Sequence, residues 1–508
     1  MMKRNFYLTI CLLIAAFFTA CKKDQPTITA STGTTVPTSG TALDHVKDSV
    51  YLFTQEDYLW YDAIPTYDVF KPRAFTGTTD ALALQSEVDA LSQYKINAAT
   101  TKPYEYEASY PGEAKYSFID QGQVATSLGG TNGDYGFSPT YNTASDLRIK
   151  YVYPGSPADK AGLVRGYQII SIAGVPSLTY TSSSSTNYTA LINALFSSTT
   201  ITMTVQKPDN TTFSVTLNTA SYTINPVLKT KILDVGSGKK IGYIVFNTFT
   251  VPDNAKAYLD AAFTNFTAEG ITDLVVDLRY NGGGSVATAE YLSDLIVPSA
   301  KTNTLMYAAY FNDKLQNDKY PLLAQKYRIN AGDFKPAKNQ TNFVKAGSLN
   351  ISRVFFIVTG STASASELTI NNLIPQMNVQ LIGTTTYGKP VGFFAIPIGS
   401  YQLYVPEFET KNAATQGGYY AGMTPGSATY PGVDASDDVT HDFGDANEAL
   451  LAKAILYTTK GTYAVSSALT TLRTGKSGSQ LSEGQLNNIS RDLSRNDVKI
   501  MISNKLKK

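Results

Sequence analysis

Histidine, cysteine and tryptophan are almost missing from this chain: its 508 residues include two His, two Cys and one Trp. Both cysteines, Cys11 and Cys21, lie near the start, and no Cys/His cluster or HExxH pattern follows. A disulfide framework and a dedicated metal site are therefore excluded, and no cofactor is implied. An excess of one charge is missing too. Lys and Arg total 42 against 41 for Asp and Glu, so there is no basic field for a polynucleotide partner. What is abundant is Tyr, Thr, Ser and Asn, a composition that suits an extracytoplasmic protein. The length suggests two to four domains, whose stability must come from apolar cores alone.

Lys3 and Arg4 precede an uncharged, mostly apolar run from Phe6 to Ala20. That run is short for a transmembrane helix and has the n-region and h-region of a secretory signal. Phe18-Thr19-Ala20-Cys21 resembles a bacterial lipobox, which implies removal of residues 1–20 and acylation of Cys21. A plain signal peptide or membrane anchor is the alternative. Residues 25–43 are Ser/Thr/Pro/Gly-rich, so 21–43 reads as a lipidated flexible tether, giving an envelope protein, lipid-anchored and placed at the outer membrane, facing periplasm or cell surface, rather than at the inner one.

The fold is expected to begin near Asp44, with a helical, aromatic unit over 44–118 that contains Trp60. Residues 119–225 follow as a β-rich unit. It holds DYGFSP, the alternating LRIKYVY, the turn PGSPADKAGL, QIISIAG, the helical NYTALINALF and two β runs joined at Pro208-Asp209-Asn210. PGSPADKAGLVRGYQIISIAG resembles the PDZ signature, with Tyr167 and Ser138 where that family usually has Asp and Gly. The resemblance implies peptide binding, with Gly136, Phe137 and Ser138 at the loop that receives a peptide's terminal carboxylate. From 226 to 470 strand and helix alternate. IGYIVFNTF, a helix behind Pro252 ending at Gly270, and LVVDL form a βαβ unit, and VFFIV, a helix near Ser364 and VQLIG extend it. The expected fold is mixed α/β and multidomain, closing with a polar tail over 471–508 that says little.

Within GSTASASELTINN, residues 360–372, a strand delivers serines to a turn that opens a helix. Ser364-Ala-Ser-Glu367 fits a capping box. The same place suits a nucleophile, because free amides at a helix start stabilise an oxyanion. A hydroxyl nucleophile needs a base. His441 lies in the polar THDFGD, which reads as an ordinary loop. Lys389, 25 positions after Ser364 in TTTYGKPVGFF, sits between glycines and next to Tyr387, Phe393 and Phe394. Such surroundings desolvate an amine, lowering its pKa from ~10.4 toward the range in which it accepts a proton.

ASASE, the lysine of TYGK, DLRYNGGG at 277–284 and a preceding PDZ-like unit together resemble the carboxyl-terminal processing peptidases of family S41. That resemblance implies a ClpP/crotonase-like core, Ser364 as nucleophile, Lys389 as its base, and oxyanion donors at the amides of Gly283 and Ala365. It also implies protein or peptide substrates. Phe393 stands where many members have a glutamine that orients the lysine. A vestigial, non-catalytic peptide-binding lipoprotein therefore stays open beside the lipid-anchored endopeptidase.

Overall fold

Residues 227–434 supply one six-stranded sheet, whose four inner strands are buried almost throughout, as strands covered on both sides must be. In the computed structural model, which describes residues 36–464, 481–482, 485–486, 489, 492–493, 499–503 and 506, strand Val227–Asp234 pairs antiparallel with Lys240–Phe246. Strands Asp273–Asp277, Arg353–Val358, Asn378–Gly383 and Gly432–Asp434 then follow in parallel. Successive side chains alternate between the faces. Ile244, Phe246, Leu274, Val276, Val354 and Phe356 join one core, whereas Tyr243, Val245, Val275, Phe355 and Ile357 join another, beneath helix Ala449–Lys460. The expected βαβ unit forms with its helix at Pro252–Ala268, opened by Pro252 and followed by Gly270 at φ +64°.

Residues 137–218 form a separate five-stranded antiparallel sheet with its own apolar cluster. Helix Thr186–Phe196, capped by Ser185, packs on it through Tyr188, Leu191 and Leu195. Ile489 and Leu493, from far along the chain, are buried in the same cluster.

Helix Ala42–Asp57 starts on a capping box between Thr41 and Asp44. Its Val50 and Leu52, with Trp60, are continuous with the core of the six-stranded sheet. Residues ahead of Asp44 already pack on this helix: the Arg73 guanidinium donates to the carbonyls of Pro37 and Ser39 while also binding the buried Asp48. The leader and Cys21 lie outside the described residues. Among the described residues no helix is long and apolar enough to cross a membrane.

Candidate active site

Strand Arg353–Val358 ends in a turn whose last residue, Ser364, has φ +62° and ψ −112°. A non-glycine residue there is strained, and such strain persists only where surrounding contacts over-determine it. The contacts come from Glu367. Its buried carboxylate accepts the amides of Ser364, Gly388 and Lys389, each at 2.8 Å, and the Thr386 hydroxyl at 2.5 Å. One side chain thus fixes the serine turn and the lysine loop to each other. The Ser364 hydroxyl lies over the first turn of helix Ala365–Leu373 in the manner of a capping box, yet is fully buried with no hydrogen-bond partner. An unpartnered buried hydroxyl costs about 1–3 kcal/mol, which a purely structural serine has no reason to retain.

Lys389 follows strand Asn378–Gly383 and is 1% exposed. Burial drives its pKa well below the ordinary lysine value; the neighbouring Lys499 and Lys115 add to this, and Glu105 and Glu367 oppose it. Its Nζ lies 4.0 Å from the Phe393 ring centroid and 5.5 Å from that of Tyr116. Residues ahead of the β-rich unit support this loop. Tyr116 Oη donates to Gly388 O at 2.6 Å, partly buried Lys115 donates to Tyr387 O at 3.0 Å, and Glu105 holds the amides of Tyr116 and Ser117. The Lys389 amine is not bonded to Ser364. It donates to the carbonyl of Lys499.

The third wall is the strand Gly283–Ser285. A Cβ on Gly283 would stand 2.3 Å from Ile500 O and 2.9 Å from both Ala363 O and the Ala365 amide nitrogen, so only glycine fits. Ala365 opens its helix, and its amide has no partner within the helix. The Gly283 amide, expected as the other oxyanion donor, instead donates to Asn281 Oδ1 at 2.9 Å. Gly283 therefore supplies closeness of approach here, while its N–H is held by a side chain two residues away.

A cavity of about 620 Å³ opens beside this wall. Gly282, Gly283, Ser361 and Ile500 line one end, and Lys150, Tyr151 and Tyr153 of the β-rich unit line another. In that unit the expected carboxylate loop is differently engaged. The Gly136 amide donates to Asp134 Oδ1 at 2.7 Å, which puts a carboxylate where a terminal carboxylate was expected. Phe137 begins the strand paired to Val152, and Ser138 Oγ donates to Leu493 O at 3.2 Å. His441 is bonded to Asp438 at 2.6 Å and makes no bond to the partnerless Ser364 hydroxyl.

Sequence reasoning missed Glu105, Lys115, Tyr116, Asn281 and the segment around Ile500. Glu367 was legible only as a cap. Among the described residues no group of three or more His, Cys, Asp or Glu could hold a metal.

Residues 240–418 match the family model described as Peptidase family S41. A carboxyl-terminal-processing protease of Picosynechococcus sp. is 26% identical over 268 residues, 52% of this chain and 56% of that protein. A chloroplastic C-terminal processing peptidase of Tetradesmus obliquus is 29% identical over 182 residues, 33% of this chain and 38% of that protein. The chain thus spans about half or less of the length of these curated relatives. A crystal structure from Bacteroides fragilis, assigned to the S41 proteases, is 26% identical with a TM-score of 0.54, covering 82% of this chain and 97% of that one. The stretch that matches Peptidase family S41, residues 240–418, encloses Asp277, Gly283, Ser364 and Lys389, so the candidate site lies within the part of the chain that is similar to that family.

Proposed function

We propose that this protein is a serine endopeptidase in which Ser364 is the nucleophile and Lys389 its base. The observation that carries the reading is the Glu367 carboxylate, which locks a strained, unpartnered serine and a desolvated lysine into one frame. In the reaction, neutral Lys389 takes the Ser364 Oγ proton as that oxygen attacks a peptide carbonyl carbon. The oxyanion is held by the Ala365 amide and by the Gly283 amide, which turns to it from Asn281. Lys389 returns the proton to the departing amine. Water then cleaves the acyl-enzyme, with Lys389 again as base.

Two finer features belong to the same reading. The β-rich unit is a PDZ-like module that delivers peptides by strand addition at its edge; its engaged Gly136 amide favours recognition of the body of a peptide over capture of a terminal carboxylate. Acylated Cys21 would tether the enzyme to a membrane surface within the cell envelope.

The test compares the chain with its Ser364→Ala variant on an unfolded protein substrate and on a fluorophosphonate label. The expected result is loss of turnover by about 10³-fold or more and complete loss of labelling. Equal cleavage by the two proteins would sink the assignment and leave the vestigial peptide binder.

A further inference from the structure

The strand Ile500–Ile502 belongs to none of the sheets that build the core. It lies parallel to Gly283–Ser285, in the register Gly283 to Ile500, Gly284 to Met501 and Ser285 to Ile502. Ile500 N donates to Gly282 O at 3.1 Å. On its other side it is parallel to the loop after Lys389: Phe393 N donates to Met501 O at 2.8 Å, and Ser503 N donates to Phe393 O at 2.9 Å. Two backbone edges, one from the glycine wall and one from the lysine loop, thus face each other across a slot one strand wide, and this segment fills it.

Backbone pairing of this kind is indifferent to side chains, which is how a peptidase can receive many sequences. The side chains supply the selection. Met501 is fully buried and Ile500 and Ile502 nearly so, so the slot accepts an extended apolar stretch. The segment also meets the reacting groups. The Ile500 carbonyl oxygen crowds Gly283, beside the Ala365 amide, and the Lys499 carbonyl takes the Lys389 amine away from Ser364.

The same segment engages the five-stranded unit. Leu493 and Ile489 are buried in its apolar cluster and linked by a helical bond, Leu493 N to Ile489 O, at 2.9 Å. Leu493 O accepts from Ser138, and the Asp492 carboxylate accepts from Tyr188 on helix Thr186–Phe196. Leu493 therefore sits between the first strand of that unit and its helix, where Phe137, Ser138, Leu195 and Phe196 line a small pocket.

We propose that the chain carries its own pseudosubstrate: Ile489 and Leu493 fill the groove of the five-stranded unit while Lys499–Ser503 fill the slot beside Ser364, holding the enzyme inactive until an extended apolar peptide displaces them. This rests on the peptidase reading above. Because the segment is tethered, a peptide in trans competes with an effective concentration on the order of mM. Activity therefore requires either abundant substrate or displacement at both anchors.

The experiment uses the full chain, an Ile500→Asp/Met501→Asp double variant that expels the strand, and Leu493→Asp, which loosens the remote anchor without touching the slot. Fluorophosphonate labelling of Ser364 and hydrogen exchange at the Phe393 amide are followed in each. Expected are labelling at least about tenfold faster in both variants, faster exchange at Phe393, and slowing of the label when a synthetic peptide spanning 485–503 is added back. Unchanged Phe393 exchange overturns the proposal, as does lost protection without faster labelling in chains whose residual labelling is abolished by Ser364→Ala. A Phe393 amide that loses protection while no chain labels at all, the full chain included, brings down the peptidase reading instead; binding of the added peptide to the double variant then still reports the slot and its occupant.

Discussion

Two buried cations flank the glycine strand, and they are treated in opposite ways. Arg279 and Lys389 are each 1% exposed, so burial alone does not separate them. Arg279 is surrounded by carboxylates. It donates to Asp277 at 2.6–3.0 Å, to Glu448 at 2.8 and 3.1 Å, and to Asp437 at 2.6 Å. Burial works against its charge, yet these partners push its pKa well above the ordinary value. Arg165 from the five-stranded unit joins the cluster through Asp437 at 3.0 Å. Lys389 has aromatic rings and a single carbonyl instead, and burial pushes it the other way. A cation whose charge is fully matched is a fastener. One whose charge is discouraged is held ready to accept a proton.

Removing each cation is the strongest way to break this contrast. Lys389→Met should lower peptide hydrolysis by about 10³-fold or more, with the urea midpoint raised rather than lowered, because an apolar chain replaces a buried amine that must give up its proton on folding. Arg279→Met should cost about 3–5 kcal/mol of stability, since it strands Asp277 and Glu448 without their partner. Equal destabilisation by the two substitutions in urea melts would show that Lys389 is also a fastener.

Glu367→Gln sharpens the contrast from the anionic side. The carboxylate accepts four hydrogen bonds, although burial raises its pKa. An amide must turn its NH₂ toward some of those donors, so the serine turn and lysine loop should separate. About 10–100-fold is expected off kcat, with KM changed much less and with circular dichroism unaltered. A loss confined to KM would mean that Glu367 acts on substrate binding rather than on the frame.

How much of this was legible in the sequence divides along the same line. The βαβ order could be read because it rests on local pattern: an apolar run, a turn, a helix start. Ser364 and Lys389 were singled out by the order and spacing of several motifs that resemble family S41, since the serine stretch alone reads equally as a capping box. Glu105 and Tyr116 could not, since their contact with the lysine loop joins distant parts of the chain and no periodicity marks it. Ile500, Met501 and Ile502 are three apolar residues in a polar tail, too few to establish a period. The bond from the Gly283 amide to Asn281 could not be read, because the pattern of glycines reports close approach but not which N–H a neighbouring side chain accepts.

pH sets the next test. A lysine with a depressed folded-state pKa is active when neutral, so kcat/KM should rise with pH through that pKa and stay low below it. Stability follows the same direction. Between the folded pKa and the ordinary lysine range the unfolded chain binds the extra proton, so this contribution grows as pH rises through that window and is lost as pH falls to the folded pKa. Lys389→Met should flatten both dependences by the share Lys389 carries, whereas Arg279, charged throughout, adds no rising limb. A rising limb that survives in a Lys389 variant with measurable residual activity would assign it to another group.

The smallest effect is expected at Phe393. The ring lies 4.0 Å from the Lys389 amine, a contact that favours the ammonium by about 0.5–2 kcal/mol but offers no hydrogen bond to orient a neutral amine. Phe393→Gln adds an amide oxygen that accepts a hydrogen bond from the amine in either state and binds the charged form more strongly. It also brings polarity into a site that is fully buried. Both changes raise the lysine pKa and loss of the ring contact lowers it; with a charge-assisted bond and added polarity outweighing the ring, the rising limb of kcat/KM should move to higher pH by about one unit or less. At a pH above that limb, kcat should stay within about threefold of the parent or exceed it, because the amine is better aimed. A limb that moves to lower pH would mean that the ring, rather than the surrounding burial, is what keeps the ammonium stable, and Phe393 would then belong with the fasteners of Arg279.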